Sequence, residues 1–312
     1  EFTSPKEEAE ELLGTFITEF DTAVHPASRQ SKAEKEQWVH TLTALLDEHP
    51  KRNAYRAKLL NEAGMIYYAS GSFEDALGLW SQSLAIWQEI GDKKGEGTIL
   101  NNISQIYRER GDYDNALSYL KQSLVTHRYS GNKATEGTIL NNISQIYRER
   151  GDYDNSLSYL KQSLTIHQKI GDRNGEGTTL SNIGLIYQAQ DEYDKALPLY
   201  EQSLIILQEI GNRVGEGAIL NNIGQIYNAQ NDYDKAFNYL EQSLTICKEI
   251  GDRRQEAITS WNIGMIYKDQ GDLSKAEQYI ARTVEIDKEI EHPDLESDRK
   301  ALADLRAEIK GR

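Results

Sequence analysis

The chain has 312 residues, of which 38% are hydrophobic and 27% charged, and its formal net charge is -15 at pH 7. A field of that sign repels phosphate groups, so we expect neither nucleic acid nor an anionic membrane as a partner. No apolar run approaches the roughly 20 residues of a membrane-spanning helix, and the single cysteine excludes an internal disulfide and fits a reducing, cytoplasmic location.

Residues 1–56 are predicted to form an N-terminal cap of two amphipathic helices, over 5–24 and 30–48, separated by His25 and Pro26. A simple cap is favoured over an independent binding element. The chain begins with Glu1 and Phe2 rather than with Met, which looks like a remnant of a cloning site. We therefore expect the natural chain to begin differently and leave open whether it has further domains.

The central part of the sequence repeats every forty residues. Leu100-Asn101-Asn102-Ile103 returns at 140–143 and at 220–223, with a variant at 180–183. The frame divides the chain into six units: 57–96, 97–136, 137–176, 177–216, 217–256 and 257–296. Residues 97–124 and 137–164 differ only at Ala116 and Ser156, which indicates recent duplication or deliberate design.

Each unit is predicted to be a pair of helices. In the second unit, apolar residues from Ile99 to Tyr107 follow the three-four spacing of one helical face. Gly111 suits the left-handed conformation that ends helices, and Asp112 is placed to cap the next helix, whose interior side includes Ser123. Since the turns are short, consecutive helices must pack antiparallel.

Small residues recur where the two helices of a unit are expected to approach most closely. A glycine inside a helix costs about 1 kcal/mol relative to alanine, so its recurrence suggests a compensating backbone contact. The positions on the first helices are Gly64, Ser104, Ser144, Gly184, Gly224 and Gly264, and those on the second are Ala76, Ala116, Ser156, Ala196, Ala236 and Ala276.

Residues 297–312 are predicted to be a C-terminal cap. A single helix over 293–310, beginning at Pro293, would cover the apolar face of the last unit.

These residues closely resemble the tetratricopeptide repeat family. The resemblance rests on a small residue after Ile, the Tyr that follows (Tyr187, Tyr227, Tyr267), the Gly111-Asp112-Tyr113 turn and the Ala of the second helix, and it covers residues 57–296. The forty-residue variant looks like the repeats of kinesin light chains, of spindle-orientation adaptors and of bacterial and archaeal regulators. The resemblance implies an all-α, right-handed superhelix of six helix pairs whose concave wall of first helices binds peptides or protein segments.

Asparagine recurs as the sixth residue of five units, at Asn102, Asn142, Asn182, Asn222 and Asn262. Each amide offers two donors and an acceptor, so this asparagine ladder matches the main-chain groups of an extended peptide. Peptide-binding members of the family use groove asparagines in this way. The competing interpretation is that these side chains bond to the neighbouring unit. Asn101, Asn141 and Asn221, one residue earlier, are interpreted as solvent-facing or structural.

Other residues extend the predicted binding stripe. Gln105, Gln145 and Gln225 follow the asparagines, and Leu185 and Met265 hold the same level elsewhere. Arg108 and Arg148 flank the stripe beside Glu109 and Glu149. Arginine favours planar carboxylates, so an acidic group of a partner is one interpretation, and pairing with the adjacent glutamates is the other.

The sequence predicts no catalytic, metal or cofactor site. His127 and His167 occupy equivalent positions without a completing ligand pattern, and Cys247 at that level is interpreted as a packing residue. The Gly95-Glu96-Gly97 joint lacks the strand and Lys-Ser/Thr of a phosphate loop. We therefore expect a scaffold or adaptor that binds a protein or peptide and is not an enzyme. Self-assembly into a homo-oligomer, or a sensor arm of a larger protein, are the alternatives.

Overall fold

The fold is given by a computed structural model, which describes residues 52–290 and 292–311. The helices predicted over 5–24 and 30–48 lie outside the described residues. The chain divides into two compact units between Thr126 and His127.

The described residues form thirteen α-helices and no β-strand. Twelve of them make six consecutive pairs, here called repeats 1 to 6, and the turns between them have two or three residues. The pairs are α1 (Ala54–Ala69) and α2 (Phe73–Ile90), α3 (Lys93–Glu109) and α4 (Tyr113–Tyr129), α5 (Lys133–Glu149) and α6 (Tyr153–Ile170), α7 (Arg173–Ala189) and α8 (Tyr193–Glu209), α9 (Arg213–Ala229) and α10 (Tyr233–Ile250), and α11 (Arg253–Asp269) and α12 (Leu273–Glu289). The predicted paired, all-helical architecture is confirmed, and each first helix begins three or four residues before the unit boundary read from the sequence.

The turns use the predicted chemistry, with two exceptions. Gly111 has a φ of +70°, and the Asp112 carboxylate accepts a hydrogen bond from the Asn115 backbone N–H at 3.2 Å. In repeats 4 and 5 the left-handed position belongs instead to Asp191 and Asn231, with φ near +60°. Both are residue types that tolerate this conformation because their short polar side chains bond locally.

A buried hydroxyl joins the two helices of every repeat. Ser163 Oγ of α6 donates to the carbonyl oxygen of Gly137 in α5 at 2.8 Å. The same bond recurs, always across 26 residues, from Ser83 to Ala57, Ser123 to Gly97, Ser203 to Gly177, Ser243 to Gly217 and Thr283 to Ala257. The acceptor residue is glycine or alanine in every case, because a larger side chain would hold the two backbones apart.

The recurrent small residues on the first helices, for which the sequence predicted a backbone contact, make room for large side chains at Gly64 and Gly184. A Cβ atom on Gly184 would lie 2.7 Å from Cε1 of Tyr200, which is fully buried and donates its hydroxyl to Gln188 Oε1 at 2.6 Å. A Cβ atom on Gly64 would similarly lie 2.3 Å from Nε1 of Trp80.

The glycines at the joints between repeats have a separate role. His167 lies between Gly137 and Gly175, where added Cβ atoms would come within 2.5 and 2.1 Å of its ring nitrogens. Its Nδ1 is 2.8 Å from Asp172 Oδ2, so the predicted structural role of this histidine is supported by its contacts. This level, here called the joint position, holds Trp87, His127, His167, Leu207, Cys247 and Asp287. Burial raises the pKa of the Cys247 thiol to about 11, as suits a packing residue.

The glutamate that precedes Gly137 is a buried ion-pair partner. Glu136 lies 2.6 Å from Lys133 Nζ and 2.8 Å from Arg128 Nε. Burial acts to raise the pKa of Glu136, but the hydrogen bonds from both cations outweigh it and hold that pKa below its ordinary value.

The last helix, α13 (Leu295–Gly311), confirms the predicted C-terminal helix. Leu302 and Leu305 pack against a cluster of α12 residues that includes Ile280, and Trp261 and Met265 of α11 pack against the same cluster.

Two carboxyl groups meet where α13 joins α12. Asp287 is 2% exposed, and its carboxyl group interacts with that of Asp298 in α13. Burial raises the pKa of Asp298 to about 6, and the hydrogen bond and negative charge of Asp287 add to this rise. The charge of Asp294 raises the pKa further, whereas His292 lowers it. Between about pH 4 and pH 6 the folded state therefore binds a proton at this site that the unfolded chain has largely released.

We expect Gly184→Ala to lower the free energy of unfolding by about 1–2 kcal/mol, because overpacking against Tyr200 costs about 1–3 kcal/mol and exceeds the gain in helix propensity. Gly78→Ala is the matched control, since Gly78 is exposed in α2 and nothing lies within 4 Å of an added Cβ. That variant should be stabilised by up to about 1 kcal/mol. Urea denaturation followed by circular dichroism measures both, and equal shifts in the two variants would contradict the packing argument.

We expect the Asp298 carboxyl to make stability depend on pH. Because its folded pKa is raised, its contribution is complete below about pH 4 and is lost as pH rises through about 6. In Asp298→Asn this dependence of the free energy of unfolding on pH disappears. We expect the lost dependence to amount to about 1 kcal/mol, a small value because solvent screens a partly exposed group. Denaturation of both proteins between pH 4 and 7.5 measures the difference. Parallel pH profiles would show that Asp298 does not titrate differently on folding.

Candidate functional site

The predicted binding stripe lies on the first helices. Within the compact unit that begins at His127, the first helices α5, α7, α9 and α11 contact one another in succession. Their polar residues therefore form a continuous wall. All twelve predicted residues are half-buried, being neither core nor fully exposed: Asn102, Asn142, Asn182, Asn222, Asn262, Gln105, Gln145, Gln225, Arg108, Arg148, Leu185 and Met265.

Three asparagines of the ladder bond to the neighbouring repeat. Their side-chain N–H groups donate to an asparagine 41 residues earlier: Asn102 to Asn61 at 2.9 Å, Asn182 to Asn141 at 3.4 Å and Asn262 to Asn221 at 2.9 Å. The competing interpretation of the sequence therefore describes these side chains in the absence of a ligand. Each still has a second N–H and its own carbonyl oxygen to offer.

Asn222 differs from these three. Its amide makes no hydrogen bond among the described residues, because the residue 41 positions earlier is Ser181 rather than asparagine. Asn222 therefore has its full hydrogen-bonding capacity available at the wall.

The asparagines one residue earlier are structural. Asn141 is 6% exposed and donates to Ser163 Oγ at 3.0 Å and to Thr179 Oγ1 at 2.9 Å. Asn221 is also buried. The sequence signal for this network was the set of small hydroxyl residues on the facing helices, which periodicity alone does not connect to Asn141.

Arg108 and Arg148 occupy the same place in nearly identical sequences but have different surroundings. Arg108 Nη2 lies 3.0 Å from Glu109 Oε1. The Arg148 guanidinium has no hydrogen bond or ion pair within the described residues. Its charge acts on Tyr200, whose pKa is raised by burial while Arg148 opposes that rise.

Arg148 lines a shallow, open recess together with Gln145 and Asn182. The recess therefore joins three of the predicted site residues. Its other lining residues are Ser144, Ser156, Leu160 and Ile186. Leu160 stands at the level where repeats 1 and 4 carry the larger side chains Trp80 and Tyr200.

The recess combines one unpaired cation and two amides over an apolar floor. Such a set can bind a planar carboxylate or main-chain amides, since guanidinium and carboxamide groups supply directed donors. Met265 belongs elsewhere, because it packs against the C-terminal cluster. No group of three or more His, Cys, Asp or Glu among the described residues could hold a metal ion, and none of the helices in that part of the chain is long and apolar enough to cross a membrane.

Three solved structures illustrate the fold. A kinesin light chain with nearly identical TPR-like repeats from Podosopora anserina has 16% identity and a TM-score of 0.51, over 64% of this chain and 98% of that chain. A Rap protein complexed with competence and sporulation factor has 12% identity and a TM-score of 0.62, over 98% and 94%. The Pyrococcus horikoshii STAND protein PH0952, with a tetratricopeptide repeat sensor, has 18% identity and a TM-score of 0.60, over 88% and 42%.

No curated protein sequence matches this chain significantly. The tetratricopeptide repeat model, however, matches residues 55–124, 135–209 and 215–289. These segments make up more than half of the sequence, and they coincide with the helix pairs described above. The chain therefore belongs to the tetratricopeptide repeat family.

Proposed function

We propose that this chain is a protein-interaction scaffold that binds a segment of a partner polypeptide along the wall of first helices, with the recess at Arg148 as its anchoring point. The observation that carries the proposal is the unpaired guanidinium of Arg148 above the recess it shares with Gln145 and Asn182. A half-buried cation without a partner is costly unless a ligand supplies the missing charge.

The chemistry of the recess favours an acidic residue of the partner. A carboxylate there accepts two parallel hydrogen bonds from the guanidinium, an arrangement that gives both strength and orientation. The amides of Gln145 and Asn182 are placed to bond the adjacent main chain, and Leu160 and Ile186 supply apolar contact. The Rap protein in complex with competence and sporulation factor supports the use of such an array as a binding surface.

The wall beyond the recess supplies main-chain contacts in this proposal. Asn222 is the ladder residue with the most capacity to spare, and the asparagines that already bond to a neighbour contribute only their remaining groups. The partner segment therefore runs from the recess towards α9, with its acidic residue at the Arg148 end.

We expect Arg148→Ala to weaken binding of selected peptides about tenfold or more, because a charge-assisted bidentate contact is worth roughly 1.5–3 kcal/mol. Peptides selected from an array of the host's proteins are the probe, and fluorescence anisotropy gives the affinities. Arg108→Ala is the matched control, since Arg108 already pairs with Glu109 and its loss should change affinity threefold at most. Equal losses in both variants, or selected peptides without an acidic residue, would reject the anchoring role.

We expect Asn222→Ala to lower the affinity for the same peptides by about fivefold, because one main-chain hydrogen bond contributes roughly 1 kcal/mol. Its stability should be unchanged, since Asn222 bonds to no described residue. Asn262→Ala serves for comparison and should lower stability as well, because Asn262 donates to Asn221. Wild-type affinity in Asn222→Ala would remove the asparagine ladder from the binding mechanism.

A further inference from the structure

A row of ion pairs runs along the edge where first helices begin and second helices end. Arg173 Nη2 of α7 lies 2.6 Å from Glu209 Oε2 at the end of α8. The same pair joins Arg213 to Glu249 at 2.5 Å and Arg253 to Glu289. In repeats 4, 5 and 6 a carboxylate at the end of the second helix therefore neutralises the arginine that begins the first helix.

Repeat 3 breaks this row. Its two positions, also 36 residues apart, hold Lys133 and Lys169, so an ammonium group stands where repeats 4, 5 and 6 have a carboxylate. Lys133 is held by Glu136 at 2.6 Å. Lys169 is exposed and forms no ion pair or hydrogen bond within the described ranges. Tyr129, at the end of α4, is the residue of repeat 2 that corresponds to Lys169, and it is 84% exposed.

The carboxylates around this break are already engaged. Glu136 is buried between Lys133 and Arg128. Asp172 accepts from the Gly175 backbone N–H and contacts His167. Glu176 pairs with Arg173, whose second partner is Glu209. Lys169 is therefore a cation that no carboxylate of the described residues pairs with, on a chain whose net charge is -15.

We propose that Tyr129, Lys133 and Lys169, here called the edge patch, bind an acidic peptide segment of a partner protein. A carboxylate of the partner takes the place beside Lys133 that Glu209 holds beside Arg173 in the next repeat. The row thus shows, within the same chain, which group the break lacks. The exposed ring of Tyr129 supplies the flat apolar contact that is common in protein interfaces.

Charge complementarity favours a short acidic peptide over a long polyanion. The patch is local, and the strongly negative remainder of the chain repels an extended phosphate backbone. The edge patch shares no residue with the recess at Arg148, so it stands whether or not the wall of first helices binds a ligand.

The decisive experiment uses Lys169→Glu in the full chain. This change gives Lys133 a glutamate where the arginines of repeats 4, 5 and 6 have one, so the protein should fold with at least its original thermal stability. A fluorescein-labelled peptide of about ten residues, alternating Glu and Gly, is the probe in anisotropy at about 0.1 M salt, where interactions between exposed charges are only partly screened. We expect Lys169→Glu to weaken its binding about tenfold, since attraction at the site becomes repulsion.

Lys161→Glu is the matched control, because Lys161 is an exposed lysine of the same helix with the same change of charge. Its affinity for the peptide should stay within about twofold of the original protein. Equal losses in the two variants, or no loss in Lys169→Glu, would overturn the proposal. Tighter binding of a single-stranded oligothymidine of the same length, with the same sensitivity to Lys169→Glu, would overturn the assignment to an acidic peptide.

Discussion

The structure depends on how closely the two helices of each repeat approach. A serine or threonine hydroxyl reaches the carbonyl oxygen of a residue 26 positions earlier at 2.7–3.2 Å in all six repeats. That distance requires glycine or alanine at the acceptor. It also satisfies a buried hydroxyl that would otherwise cost about 1–3 kcal/mol. Once this spacing is fixed, the other contacts of a repeat have little freedom.

The close approach determines which residues remain for binding. One face of each first helix is used by the partner helix, and the joint glycines receive the side chain at the joint position. What remains is a narrow polar stripe in contact with the stripe of the next first helix. Residues of this stripe bond to the neighbouring repeat, as Asn182 does to Asn141 at the edge of the recess.

Helices, turns and small contact residues were predictable because they follow from the pattern within one unit. Gly111, Asp112 and Gly184 act locally, and the sequence around each specifies its role. The pairing of Asn222 or Arg148 is set between repeats. Residues 97–124 and 137–164 are almost identical, yet Arg108 is paired and Arg148 is not. A single unit cannot reveal this difference, because the two units have almost the same sequence.

The joint position, finally, bears on how long such an array can grow. In four other repeats this level is filled by an uncharged side chain or by a histidine bonded to the Asp172 carboxylate: Trp87, His167, Leu207 and Cys247. In repeat 6 it holds the carboxylate of Asp287, and the buried leucines of α13 follow Ile263 and Ile266 by 39 residues rather than forty. A seventh repeat in the usual register would set a joint glycine against that carboxylate, as Gly175 is set against the ring of His167. The forty-residue periodicity instead stops after repeat 6, and α13 packs on it in a different register.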